Sequence, residues 1–122
     1  MPKILIVDDS DTIRNQVRTM LEGAGHQVVE AVDGVDGLNK ANSNADVALI
    51  ICDVNMPQMD GLTMCGKVRE NSALKTKPIL MLTTESSPDM KTKGKEVGVV
   101  AWIVKPLNPE KALAAISKLV SS

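Results

Sequence analysis

Short aliphatic runs alternate with helical stripes along this chain. The runs are Ile4–Val7, a weak Val28–Val29, Val47–Cys52, Ile79–Leu82 and Val99–Val104. They are continuous rather than alternating, which predicts strands covered on both faces. Ile13, Val17, Met20 and Leu21 fall at i, i+4, i+7 and i+8, the spacing of an amphipathic helix. Gly23 and Gly25 then suit a helix stop. Val35, Leu38 and Ala41 predict a second, shorter helix, and Leu62, Cys65 and Val68 a third. Ser87-Pro88 and Asn108-Pro109 each read as a cap followed by proline at the first helical position. Gly98 closes the fourth helix; Leu113, Ile116 and Val120 line the fifth. Five β/α units in a row predict an α/β fold with a parallel sheet and right-handed crossovers.

Composition narrows the picture. At 122 residues the chain is expected to be one domain with a single core. It has no Phe or Tyr, one Trp and seven Met, so that core must be aliphatic and Met-filled. A net charge of −1 gives no global reason to expect nucleic acid or an anionic membrane as partner. Cys52 and Cys65 fit neither a metal spacing nor a CxxC pair and read as reduced, buried thiols. The start of the chain lacks a signal-peptide pattern, and no run approaches a membrane span. A soluble, cytoplasmic protein is the expectation.

The polar residues fall in a telling place. Val7 is followed by Asp8 and Asp9, Cys52 by Asp53, Leu82 by Thr83, and Val104 by Lys105. In a parallel sheet those strand ends share one edge, where open α/β sheets bind ligands. One such coincidence would be an ordinary turn or cap residue, and Ser10 or Asp11 also suits the cap of the first helix. Four together favour a site. Three carboxylates in one crevice raise one another's pKa, and a divalent cation relieves the repulsion. Oxygen ligands without His or Cys favour Mg²⁺. A cation, a lysine and a hydroxyl around one carboxylate make a cradle for a phosphoryl group, with the carboxylate as nucleophile.

The motifs ILIVDDS, DVNMPQMDG, MLTTES and WIVKP, in that order, resemble the response-regulator receiver domain, specifically its stand-alone CheY-like chemotaxis type. The resemblance spans essentially the whole chain. It implies a five-stranded parallel sheet of order 2-1-3-4-5 with five helices, a flavodoxin-like (βα)5 fold. It also implies one receiver domain over residues 1–122 with no output domain. Asp53 would accept the phosphoryl group; Asp9, Asp53 and the Asn55 backbone carbonyl would hold Mg²⁺, with Asp8 acting through a metal-bound water. Lys105 would pair with the phosphoryl group, and its bond to Pro106 would be cis. Thr83 would bond a phosphoryl oxygen, and Trp102 would be the aromatic switch that turns inward with it. Asn55 and Glu85 would set the lifetime of the signal, here seconds to minutes rather than hours. Three positions depart from the family habit: Trp102 for Tyr or Phe, Leu107 for the Phe after the Lys-Pro pair, and Val99 for a small residue.

The implied activity is signalling, with self-catalysed phosphorylation and dephosphorylation, rather than that of an enzyme. The implied partners are a sensor histidine kinase of the chemotaxis type and a target such as a flagellar motor switch protein, bound by a monomer. The fourth helix, the Trp102 strand and the last helix would form the output surface, with Lys91, Lys93 and Lys95 meeting an acidic segment. Other readings are weaker. An aspartyl phosphohydrolase of the haloacid dehalogenase type carries its nucleophile on the first strand as D-x-D; here it would follow the third, and no cap insertion is present. A nucleotide-binding domain needs a glycine-rich loop where this chain has VDDSDT. A phosphate sink or a degenerate docking receiver remains as the alternative within the family.

Overall fold

The computed structural model describes residues 2–84 and 87–121. Five parallel strands, Lys3–Val7 (β1), Gln27–Ala31 (β2), Leu49–Cys52 (β3), Ile79–Thr83 (β4) and Val99–Val104 (β5), lie in the order β2-β1-β3-β4-β5. The helices are Asp11–Gly23 (α1), Gly34–Ser43 (α2), Gly61–Val68 (α3), Pro88–Glu96 (α4) and Pro109–Ser121 (α5). A single 3₁₀ turn at Ser72–Leu74, which the periodicity does not announce, links α3 to β4.

The local signals act as expected. Ser10 rather than Asp11 caps α1, its hydroxyl accepting from the Ile13 amide. Ser87 caps α4, with Pro88 in its first turn. Asn108 accepts from the Lys111 amide at the start of α5. Gly25 and Gly98 take the positive φ values, +90° and +84°, that let the chain reverse after α1 and α4.

The core has two aliphatic layers, one on each face of the sheet. Leu5, Val7, Ile50, Cys52, Ile79 and Met81 meet α2 and α3 on one side. Ile4, Ile6, Leu49, Ile51, Leu80 and Leu82 meet α1 and α5 on the other. Alternate residues of one strand thus serve opposite layers, which is why β1, β3 and β4 read as unbroken apolar runs.

Two expectations fail. Val35, placed on the inner stripe of α2, is 39% exposed; Gly34, Gly37 and Ala41 face inward instead. A Cβ on Gly37 would lie 2.6 Å from Met64 Sδ and 2.7 Å from Val7 Cγ1, so the helix packs through its glycines. Nor is β5 covered on both faces. It is an edge strand, and Val100 and Val104 are 57% and 51% exposed. Its pairing with β4 shifts register between Ile79↔Val99 and Leu80↔Ala101, so Val100 is an extra residue. Such a bulge re-aims the side chains beyond it. Val99 and Trp102, three apart, therefore face the same layer, and Trp102 points toward α4.

Candidate functional site

The carboxyl ends of β1, β3, β4 and β5 bring Asp8, Asp53, Thr83 and Lys105 together, as their order in the sequence predicts. Asp8 and Asp53 are nearly buried, at 1% and 7% exposed, and Thr83 is fully buried. The Asp53 amide donates to the Val7 carbonyl at 2.9 Å, continuing the β1–β3 ladder one step beyond the strands. The Lys105 amide donates to the Thr83 carbonyl at 2.7 Å and does the same for β4 and β5. The bond from Lys105 to Pro106 is cis.

Lys105 Nζ lies 3.0 Å from Asp8 Oδ2 and 3.6 Å from Asp53 Oδ2. The lysine thus bridges two carboxylates and sits closer to Asp8 than to the expected acceptor. Asp8 Oδ1 also accepts from the Ser10 amide at 2.8 Å, so Asp8 is held at both oxygens. Burial first, and the Asp8 charge second, push the Asp53 carboxyl above its usual range, while Lys105 pulls the other way.

Oxygens of Asp8, Asp9 and Asp53 all lie within 4.8 Å of one another. Three acidic groups against one ammonium leave negative charge unbalanced. The donors are all hard oxygens, and exposed Asp9 leaves the cluster open to solvent. That set fits a small divalent cation that keeps several waters, as Mg²⁺ does.

The loop from Asp53 to Asp60 is closed by Gly61, whose amide donates to the Val54 carbonyl at 2.8 Å. A Cβ on Gly61 would lie 2.0 Å from the Asp53 carbonyl oxygen. Asp60 caps α3 through the Thr63 amide. Gln58 takes a left-handed φ of 68° at the apex. The same loop touches α2: a Cβ on Gly34 would lie 2.2 Å from the Met59 carbonyl oxygen. Asn55, two residues beyond the expected acceptor, is exposed, while Glu85 lies outside the described residues.

Cys52, which precedes Asp53, is free, as is Cys65. Contact with Cys65, then burial, push the Cys52 thiol well up, so it remains protonated. Both cysteines are buried and unbridged, as the sequence reading expects.

Two arginines escaped sequence reasoning. Arg14, 8% exposed, lies beneath the acidic loop. Its guanidinium donates to the Asp8 carbonyl at 2.5 Å, pairs with Asp11, and approaches Glu30 Oε1 at 3.5 Å. Arg69 donates to the Val97 and Gly98 carbonyls at 2.9 and 3.1 Å and to the Leu74 carbonyl at 2.7 Å. It ties the end of α4 to the end of α3. Their partners are mostly carbonyls, which leave no trace in residue types. Arg14→Met should destabilise the metal-free protein by about 2 kcal/mol, because buried acceptors lose a charged donor. Arg14→Lys should recover little, since one ammonium cannot span the same acceptors. Urea unfolding of both variants checks this, and a near-neutral Arg14→Met would show that the guanidinium supports nothing.

The response regulator receiver domain family matches residues 4–117. Protein PilG of Pseudomonas aeruginosa is 37% identical over 120 residues, covering 98% of this chain and 88% of its own. Chemotaxis protein CheY1 of Helicobacter pylori is 41% identical and is covered over 88% of each chain. Among solved structures, chemotaxis protein CheY4 of Vibrio cholerae is 48% identical, covers 98% of both chains and superposes with a TM-score of 0.93.

Proposed function

The chain belongs to the response regulator receiver domain family, and from that premise we propose that it accepts a phosphoryl group on Asp53 from a sensor histidine kinase and signals by changing its affinity for a target protein. The observation that carries this reading is the buried Asp53 carboxylate within reach of both Lys105 and a second carboxylate. One Asp53 oxygen attacks the phosphorus of the donor. The phosphorus–nitrogen bond of a phosphohistidine breaks, an oxygen–phosphorus bond forms, and the imidazole leaves with the electron pair and takes up a proton. Lys105, already between two carboxylates, turns its ammonium to a phosphoryl oxygen. Thr83, at the end of β4, offers a hydroxyl to another. Asp9, Asp53 and the Asn55 carbonyl, with Asp8 through a metal-bound water, would hold Mg²⁺, which would supply the charge neutralisation that lets an anionic carboxylate meet an anionic phosphoryl group.

The 122 residues act as one receiver unit on this reading. The curated relatives named above are covered over 88% of their own length, and on this reading output passes through contact with a target protein. Their names support chemotaxis as the setting, with a chemotaxis kinase upstream and a motor switch protein or comparable target downstream. The α4, β5 and α5 face is the proposed contact surface. No helix among the described residues is long and apolar enough to cross a membrane, and we place the protein in the cytoplasm as a monomer that is a signalling protein rather than an enzyme.

Intact mass after brief incubation with acetyl phosphate, quenched in acid, tests the reading. One phosphoryl group should be gained with Mg²⁺ and none when a chelator is present. The exposed amide of Asn55 and the acid Glu85 should let that group decay in seconds to minutes. A half-life of hours would remove their proposed role, and turnover of a general phosphomonoester would favour a hydrolase instead.

A further inference from the structure

Helix α4 is held in an unusual way. Its one buried residue is Gly94. Glycine in a helix interior costs up to about 1 kcal/mol relative to alanine, so a glycine at the buried position needs a reason. The reason is the Trp102 indole. A Cβ on Gly94 would lie 2.6 Å from Trp102 Cζ2, 3.5 Å from Cε2 and 3.3 Å from Val99 Cβ. The bulge at Val100 is what turns Trp102 to this side of β5. Met90 and Val97 of the same segment, like Trp102, are only partly buried against the core. The far end of α4 is fixed independently by Arg69, which binds the Val97 and Gly98 carbonyls.

We propose that Gly94 is the seat of the Trp102 indole, a positioning residue whose missing side chain sets how far the switch tryptophan leans into α4. The packing stands on geometry alone; its consequence for signalling rests on the receiver reading given above. Even one methyl group at position 94 must push the indole outward or lift the helix. Arg69 fixes the C-terminal end, so the strain falls on the indole and on the N-terminal half of α4. The seat also accounts for the acceptance of Trp where a smaller ring is usual: the notch supplies the volume that the larger ring needs.

Trp102 is the chain's one aromatic residue, so its fluorescence reports this contact without interference. Gly94→Ala should shift the emission to longer wavelength, increase acrylamide quenching, and raise the unfolding constant by about tenfold, the cost of overpacking a fitted site. In a Trp102→Leu background the same substitution should instead be neutral or stabilising, as it is in an ordinary helix. Gly66→Ala is the control, because its Cβ would meet only Val97 Cγ1, at an ordinary 3.7 Å. The response of Trp102 to beryllofluoride with Mg²⁺ should be reduced or lost in Gly94→Ala, while phosphoryl gain by mass stays at the wild-type level. Wild-type emission and quenching in Gly94→Ala would overturn the seat. So would an equal penalty in both backgrounds, including failure to fold in both. A wild-type protein that neither gains phosphate nor responds to beryllofluoride would sink the receiver reading instead, and quenching and unfolding would still decide the seat.

Discussion

Asp53→Asn is expected to abolish phosphoryl gain and, in the same molecule, to make the metal-free protein more stable. The first effect should be total if, as proposed, the carboxylate oxygen is the nucleophile. The second follows from burial. Asp53 is 7% exposed and faces Asp8 across a single ammonium shared between them. Its pKa is raised by desolvation first and by Asp8 second. Because folding raises this value, the native state holds the proton more tightly than the unfolded chain. Stability therefore falls as pH rises from the unfolded pKa through the folded one. Asn at this position does not titrate. Its advantage should be absent in acid and complete at neutral pH, on the order of 1 kcal/mol, the usual scale of a single substitution. Urea midpoints in a chelator at acid and neutral pH measure it. No advantage at neutral pH would mean that Lys105 fully compensates the carboxylate.

Gly61→Ala carries the largest expected loss of stability. The added Cβ would stand 2.0 Å from the Asp53 carbonyl oxygen, 2.9 Å from its carbon and 3.0 Å from Cys52 Sγ. Two of these atoms are backbone and cannot rotate away. Relief requires the loop after β3 to open, which breaks the bond from the Gly61 amide to the Val54 carbonyl. A cost of about 3 kcal/mol, at the upper end for overpacking, is expected in urea unfolding. The carbonyl under pressure belongs to Asp53, the proposed acceptor, so phosphoryl gain should fall even where the variant is folded. A midpoint within error of wild type would show that the loop yields freely.

What could be read before any coordinates were those features that residue types encode. The runs of β1, β3 and β4 are covered on both faces, and their apolar character says so directly. Asp8, Asp53, Thr83 and Lys105 each end a strand, so a parallel order alone suffices to gather them. Three kinds of feature were hidden. The inward face of α2 belongs to Gly34, Gly37 and Ala41, and hydrophobic spacing favours Val35 because glycine carries no apolar signal. The bulge at Val100 leaves β5 looking like an ordinary buried run although it is half open. Arg69 works through carbonyls of residues 74, 97 and 98, contacts that any amino acid could make, and Arg14 adds the Asp8 carbonyl to its pairs with Asp11 and Glu30.

The edge position of β5 has a consequence for how copies of the protein behave toward one another in concentrated solution. An edge strand offers unmatched backbone groups to any similar strand, and exposed aliphatic side chains make that contact adhesive. Here Val100 and Val104 flank the edge, and a net charge of −1 provides almost no mutual repulsion. Helix α4 packs on one face of this strand, against Trp102 and Val99, and Arg69 binds the carbonyls at its C-terminal end. The strand that carries Trp102 is therefore also open to pairing with another copy, so substitutions there bear on colloidal solubility as well as on the tryptophan.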